Sequence, residues 1–121
     1  MSKPFETIES IATKISSGST PLRANLPFWE NGTIPWLKTE QLGEYHITDT
    51  NERITELALT ETSIKINPTN TITIALYGEG RTRGNVSILK KPMTTNQACC
   101  NLEVNKEVAD YRYVYYWLKN N

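Results

Sequence analysis

TITIALYGEGRTRGNVSIL, residues 71–89, is the stretch on which the fold turns. Thr71 to Tyr77 is an apolar run rich in β-branched residues and bounded by Pro68 and Gly78, the length and composition of a buried strand. Asn85 to Leu89 reads as a second strand. Between them GEGRTRG carries glycines at 78, 80 and 84, which free the backbone for positive φ and close approach. Arg81 and Arg83, two apart, would splay to either side of this connecting loop. The planar fork of arginine takes a phosphate, or the O6 and N7 edge of guanine, in two parallel hydrogen bonds. Two plainer readings fit the same residues. One is an ordinary hairpin with solvated arginines; the other is a nucleotide-phosphate cradle, although the dinucleotide fingerprint needs a third glycine where Arg83 stands and a helix after it.

Working outward, Phe5, Ile8, Ile11, Ala12 and Ile15 recur at helical spacing, so an N-terminal helix is expected over residues 5–15, stopping at Ser16 to Gly18. SSGSTPLRANLPFWENGTIPW, residues 16–36, is dense in Gly, Pro, Ser and Asn and reads as loop with defined turns. Its Phe28, Trp29 and Trp36 imply a loop packed down on the core, with base stacking as the other use of such rings. Ile34 to Leu37 is a short strand, followed by a helical turn from Thr39 to Leu42. A β segment is expected around Arg53 and Ile54, a helical turn over Thr55 to Leu59, and an extended piece over Ser63 to Asn67. Lys90 to Met93 is a turn containing Pro92, and Gln97 to Val104 a further strand. Ala109 to Leu118 is the C-terminal helix, opening near Asp110. Tyr111, Val114, Tyr115 and Leu118 make one stripe of it, and Tyr113, Tyr116 and Trp117 put aromatics on the other sides, so it wants two partners or full burial.

The fold expected is therefore a small α/β (α+β) domain: a mixed or mainly antiparallel sheet on the central hairpin, flanking N- and C-terminal helices, and long structured loops at one edge. At 121 residues the chain is one domain, residues 1–121, with a modest core. No apolar run approaches the roughly 20 residues of a membrane span, and MSKPFETIES has no apolar signal core, so the expectation is a soluble, cytoplasmic protein. Cys99 and Cys100 are adjacent and read as buried thiols on a strand.

Net charge is zero, which argues against a polycationic coat. Its distribution is uneven: six acids against Arg53 alone from Glu40 to Glu61, then five bases against Glu79 alone from Thr62 to Ala98. Such polarity could set one face on an anion or be no more than solvated loops. The chemistry of catalysis is sparse. His46 is the only histidine, no serine sits in a Gly-x-Ser-x-Gly elbow, and nothing places Glu40 and Glu44 in a cleft as a general acid and base. A binder is the default.

Taken in order, a Gly-x-Thr-Pro turn at Gly18 to Pro21, Trp29 with Gly32, Ile-Pro-Trp at Ile34 to Trp36, the glycine-bearing loop after a β run, and Asn-Gln at Asn96 and Gln97 resemble a target recognition domain. The family is the DNA specificity subunit of type I restriction-modification enzymes, and the resemblance spans residues 1–118. It implies sequence-specific binding of double-stranded DNA, reading one half of a bipartite site, without catalysis by this chain. Partner methyltransferase subunits would bind S-adenosylmethionine and methylate adenine, and a restriction subunit would join through them. No Asn-Pro-Pro-Tyr methylation motif is present, and no cofactor or metal is expected on the chain itself. The C-terminal helix, about residues 109–121, would be the start of a longer family helix. Ending at Asn121, the chain looks like an excised domain or half-subunit, which leaves dimerisation and methyltransferase docking open.

The shared landmarks suit scaffold and positioning, so base readers are expected beside them. The DNA-binding candidates are Arg23 and Asn25 in the first loop, Lys38, Thr39 and Glu40 after the Ile34 strand, Tyr77, Glu79, Arg81, Thr82 and Arg83 in the central loop, and Thr95, Asn96 and Gln97. Arg81 or Arg83 suits guanine, Asn25 or Gln97 adenine, and Glu79 or Glu40 cytosine N4. Thr20, Lys38, Lys90 and Lys91 suit phosphates. The competing functions are a protein- or carbohydrate-binding module using the aromatic loop and C-terminal helix, a nucleotide-binding enzyme fragment, and the same recognition domain fused to another restriction enzyme.

Overall fold

The computed structural model describes residues 8–76 and 84–120. After a 3-10 turn at Ile8–Ser10 come β1 (Ala12–Ser17), a 3-10 turn at Leu26–Phe28, β2 (Ile34–Leu37) and a 3-10 turn at Thr39–Gln41. Then follow β3 (His46–Ile47), β4 (Glu52–Ile54), α1 (Glu56–Glu61), β5 (Ile72–Ala75), β6 (Val86–Leu89), β7 (Thr94–Thr95), β8 (Cys99–Val104) and α2 (Tyr111–Lys119). The strands form a five-stranded sheet of order β1-β8-β5-β6-β3 and a three-stranded sheet of order β4-β2-β7. Both are mixed, since β3 runs parallel to β6 and β2 parallel to β7 while the other pairs are antiparallel.

The expected central hairpin is the heart of the larger sheet, with Ile72 opposite Ile88, Thr73 opposite Ser87 and Ile74 opposite Val86. Every residue of β6 is buried, because this sheet is covered on both faces. The period of two in the strands sorts the side chains between two cores. On one face Ile72, Val86, Ile88 and Leu102 meet Val114 and Tyr115 of α2 and Ile11. On the other, Ala75, Leu89 and Cys99 meet Leu37, Leu42, Ile47 and Met93. A third cluster, Phe28, Ile34, Trp36, Ile54, Ala58 and Ile64, lies between the smaller sheet and α1. Strand β2 sends Ile34 and Trp36 to this last cluster and Leu37 to the middle one, and so joins the two sheets.

The α/β class with mixed sheets, α2, and the aromatic loop packed on the core agree with the sequence reading; Phe28 is 6% and Trp36 1% exposed. The helix expected over residues 5–15 does not: in its described part, Ile8–Ser10 is a single 3-10 turn and Ala12–Ser17 is strand. Ile8 and Ile11 do reach the α2 side of the core. The next residues are claimed by a non-local partner, with Ile15 opposite Leu102 and Ser17 opposite Cys100 on β8. Local periodicity cannot register such pairing, and β-branched Thr13 and Ile15 suit a strand at least as well as a helix.

Short elements are closed by side chains. Thr55 caps α1 by accepting from the Ala58 amide, and Asp110 caps α2 by accepting from the Arg112 amide at 2.8 Å. Helix α2 is buried at Val114 and Tyr115, whereas Tyr113 and Tyr116 are half exposed, so of the two readings of its aromatic faces, a second partner or full burial, full burial does not hold. Both cysteines lie on β8 with free thiols, Cys99 buried and Cys100 half-buried. Asp49 of the acidic segment pairs with Arg53 beside it and with Lys91 of the basic segment, and Glu52 pairs with Arg23 and Lys38.

Candidate nucleic-acid interface

Strand direction gathers several of the recognition candidates at one end of the molecule. Because β2 and β7 are parallel, both finish on the same side, and the Asn96 amide donates to the Leu37 carbonyl at 2.9 Å just beyond them. Strand β5 ends there too, with the Leu76 amide donating to the Ala98 carbonyl at 2.8 Å. Strand β6 starts there, the Gly84 amide donating to the Ala75 carbonyl at 2.9 Å. Gly84 has φ +86°, a conformation that favours glycine. Tyr77, Glu79, Arg81, Thr82 and Arg83 lie outside the described residues, but Leu76 and Gly84 on either side of 77–83 both sit at this end.

Two more segments are tied to the same place. The turn carrying Thr39, Glu40 and Gln41 is held by Asn85 Nδ2 donating to the Leu42 carbonyl at 3.2 Å and by the Gly43 amide donating to the Ser87 hydroxyl at 2.9 Å. The first loop is held by the Ser19 amide on the Thr95 carbonyl at 3.0 Å, the Trp36 indole N–H on the Ser19 carbonyl at 2.9 Å, and the Thr20 hydroxyl on Gln97 Oε1 at 2.6 Å. This approach is why residue 18 is glycine: a Cβ there would lie 1.9 Å from the Thr95 carbonyl oxygen. Thr20 and Gln97, assigned separately from the sequence, thus meet.

Beneath this end runs a buried polar chain across both sheets. The Thr73 hydroxyl on β5 donates to Asn101 Oδ1 on β8 at 2.9 Å, and Asn101 Nδ2 donates to the Thr95 hydroxyl on β7 at 2.8 Å. All three side chains are buried, and among the described residues no buried side-chain nitrogen or oxygen lacks a partner. The chain fixes the backbone that carries Asn96 and Gln97. Asn96 itself turns inward, its Oδ1 accepting from the Ala98 amide at 3.2 Å and from the Cys99 thiol at 3.3 Å.

Arg23 is set in the corner between two indoles. Trp29 and Trp36 meet edge to face, centroids 5.0 Å apart at 87°, and the Arg23 guanidinium carbon lies 4.1 Å from the first ring and 4.9 Å from the second. Its two terminal nitrogens both donate to the Glu52 carboxylate, which also lies 3.4 Å from Lys38 Nζ. Hydrogen bonds from Arg23 outweigh partial burial and hold the Glu52 carboxyl below its ordinary range; reciprocally the Arg23 guanidinium is held further towards its charged form.

The remaining candidates divide. Glu40 and Gln97 are exposed at the shared end, Lys38 and Asn25 half-exposed, and Thr39 and Thr95 are buried as support. Lys91 precedes β7, at the other end of that strand from Gln97, and lies 3.6 Å from Asp49. Lys90 follows β6, opposite the Gly84 end, and donates to Asn70 Oδ1 at 2.6 Å and to the Tyr111 hydroxyl at 3.1 Å. A cavity of about 420 Å³ lies on that far side, lined by Asn70, Thr71, Val104 and Tyr111 among others. Glu52, Thr73 and Asn101 have no signal in the sequence: Glu52 is joined to Arg23 across 29 positions and Thr73 to Asn101 across 28. Among the described residues no cluster of His, Cys, Asp and Glu stands ready for a metal ion, and no helix is long and apolar enough to cross a membrane.

Comparison with known proteins gives a consistent family. Residues 4–121 match the family described as type I restriction modification DNA specificity domain. The chain is 35% identical over 109 residues to the type I restriction enzyme MjaIX specificity subunit of Methanocaldococcus jannaschii, covering 88% of this chain and 24% of that protein. It is 35% identical over 81 residues to the EcoR124I/EcoR124II specificity subunit of Escherichia coli, covering 66% of this chain and 20% of the relative. The chain therefore spans about a quarter or less of these relatives. Among solved structures, the HsdS subunit from Thermoanaerobacter tengcongensis shares the fold with a TM-score of 0.65 at 14% identity, over 92% of this chain and 25% of that one. The S subunit from M. genitalium does so with 0.59 at 22%, over 94% and 25%.

Proposed function

This chain belongs to the type I restriction modification DNA specificity domain family, and on that premise we propose that it binds double-stranded DNA sequence-specifically, reading one half of a bipartite site. The supporting observation is the convergence at one end of the first loop, the turn after β2, residues 96–97 and both described residues flanking 77–83. On this reading the chain is a non-catalytic specificity component. Direct readout is carried by the central loop and by Gln97 and Glu40, with Lys38 on a phosphate. Methyltransferase subunits supply S-adenosylmethionine and the methyl transfer, and a restriction subunit joins through them. Lys90 and Lys91, which leave β6 at the end away from Gly84 and are engaged by Asn70, Tyr111 and Asp49, contribute least.

The test is selection from a randomised duplex pool at about 50 mM salt, with sequencing of the retained fraction, repeated on the Arg81→Ala, Arg83→Ala double variant. One enriched short motif, blurred or lost in the variant, is the expected result. Retention without any motif would refute sequence reading by this chain, and no retention would shift the function to protein or carbohydrate binding through the exposed tyrosines of α2.

A further inference from the structure

Arg23 and Lys38 are the two described cations at the recognition end on the first loop and on the β2 exit, and both are on one carboxylate, that of Glu52. Resting on the DNA-binding reading above, we propose that Glu52 is a specificity-setting counter-charge, an internal competitor for DNA phosphates that holds Arg23 and Lys38 off non-specific backbone contact.

The geometry supports restraint rather than chance pairing. Glu52 sits on β4 directly opposite Trp36 on β2, so its backbone is fixed by the smaller sheet, and its carbonyl accepts from the Thr50 hydroxyl. Arg23 is held by three surfaces at once, the Glu52 carboxylate on its fork and two perpendicular indoles around it. A bidentate pair commits both terminal nitrogens, the same donors that would grip a phosphate or a guanine edge. Lys38 reaches the second carboxylate oxygen, so three charged groups present a net charge of one rather than two. Solvent-exposed pairs are individually weak, and here the side chains of Arg23 and Lys38 are 51% and 36% exposed. The cations are therefore restrained without being lost. A duplex held only by its phosphates can shift until both cations meet phosphate oxygens, whereas a duplex fixed in register by the base-reading groups offers phosphates only where that register puts them. Freed cations therefore add more to binding off the site than on it, and the counter-charge lowers affinity most for DNA without the site.

The experiment compares the unaltered 121-residue chain, Glu52→Gln and Glu61→Gln by fluorescence anisotropy, on the duplex selected above and on a scrambled duplex of equal length, from about 50 to 200 mM salt. Glu61 is an exposed residue at the end of α1, and its substitution makes the same net-charge change without touching Arg23 or Lys38. For Glu52→Gln the expected result is tighter binding to the scrambled duplex, a salt slope steeper by about one to two, since each phosphate neutralised adds about 0.9, and a several-fold smaller ratio of specific to non-specific affinity. Glu61→Gln should leave slope and ratio near those of the unaltered chain. An unchanged slope and ratio in Glu52→Gln, or equal changes in both variants, would overturn the proposal. Should the unaltered chain retain no motif, heparin elution decides in place of the selected duplex: later elution of Glu52→Gln than of Glu61→Gln upholds the counter-charge while the sequence-reading assignment falls, and equal elution overturns both.

Discussion

Replacing Asn101 with leucine should cost more than its two hydrogen bonds, and a second substitution should give part of that loss back. Asn101 is 1% exposed, Thr73 and Thr95 are wholly buried, and the Asn101 side chain accepts from one and donates to the other. Each neutral hydrogen bond is worth about 1 kcal/mol net, and a buried donor left without an acceptor costs about 1 to 3 kcal/mol. Asn101→Leu removes both bonds and strands the Thr73 hydroxyl, so about 3 kcal/mol is expected. Thr73→Val strands Asn101 Oδ1 and should cost about 2 kcal/mol. If the sites were independent the double variant would lose about 5 kcal/mol, but with donor and acceptor removed together nothing is stranded and only the two bonds, about 2 kcal/mol, are lost, a coupling of about 3 kcal/mol. Urea unfolding of the four proteins with unchanged m-values measures this. A double variant additive to within about 0.5 kcal/mol would show that the polar chain does not join the sheets as described.

Three further outcomes are expected. Gly18→Ala should destabilise by about 1 to 3 kcal/mol in the same urea assay, because its Cβ would lie 1.9 Å from the Thr95 carbonyl oxygen and neither backbone can yield cheaply; a loss under about 0.5 kcal/mol would contradict that close approach. Burial pushes the Cys99 thiol from an ordinary 9.0 up to about 12, so the stability of keeping it neutral is complete below pH 9 and is lost as pH rises towards 12. Alkaline urea titrations should fall over that window in the parent and less steeply in Cys99→Ala. Glu52 shifts the other way: its contribution is present above its ordinary 4.5 and lost as pH falls through its depressed folded value. Tryptophan emission should then report release of Arg23 from Trp29 on acidification, and the absence of that step in Glu52→Gln is the control.

What could be read from the sequence follows how far each residue's partners lie along the chain. Ile34 to Leu37, the Thr39 turn, the strands around Thr73 and Ser87 and the helix opening at Asp110 were all legible, because turn residues, caps and apolar runs fix them locally. The β1 strand was not, since the spacing of Ile8, Ile11 and Ile15 mimics a helix while the pairing that decides the matter is with residues 100–104. At the recognition end, the residue types of Arg23, Lys38 and Gln97 were informative, but not their engagements. Nothing in the sequence pairs Arg23 with Glu52, Thr20 with Gln97 or Thr73 with Asn101. Likewise Lys90 and Lys91 resemble a phosphate-binding pair by composition, and only strand direction shows that they leave β6 at the end away from Gly84.

The order in which the strands pair also sets when the protein can fold. Strand β1 finds its partner only in β8, and β2 acquires its parallel neighbour only when Thr94 and Thr95 have been made. Closing such long loops before any contact rewards them is slow, so this topology belongs with the slower folders among small domains. A nascent chain halted before residue 94 would carry the first loop, Trp36 and β5 without the segment that seats them. Its unpaired strand edges would be open to association with other chains. The polypeptide segment that completes both sheets, residues 94–104, also carries Asn96 and Gln97, so the recognition end is assembled together with the sheets rather than added to a finished scaffold.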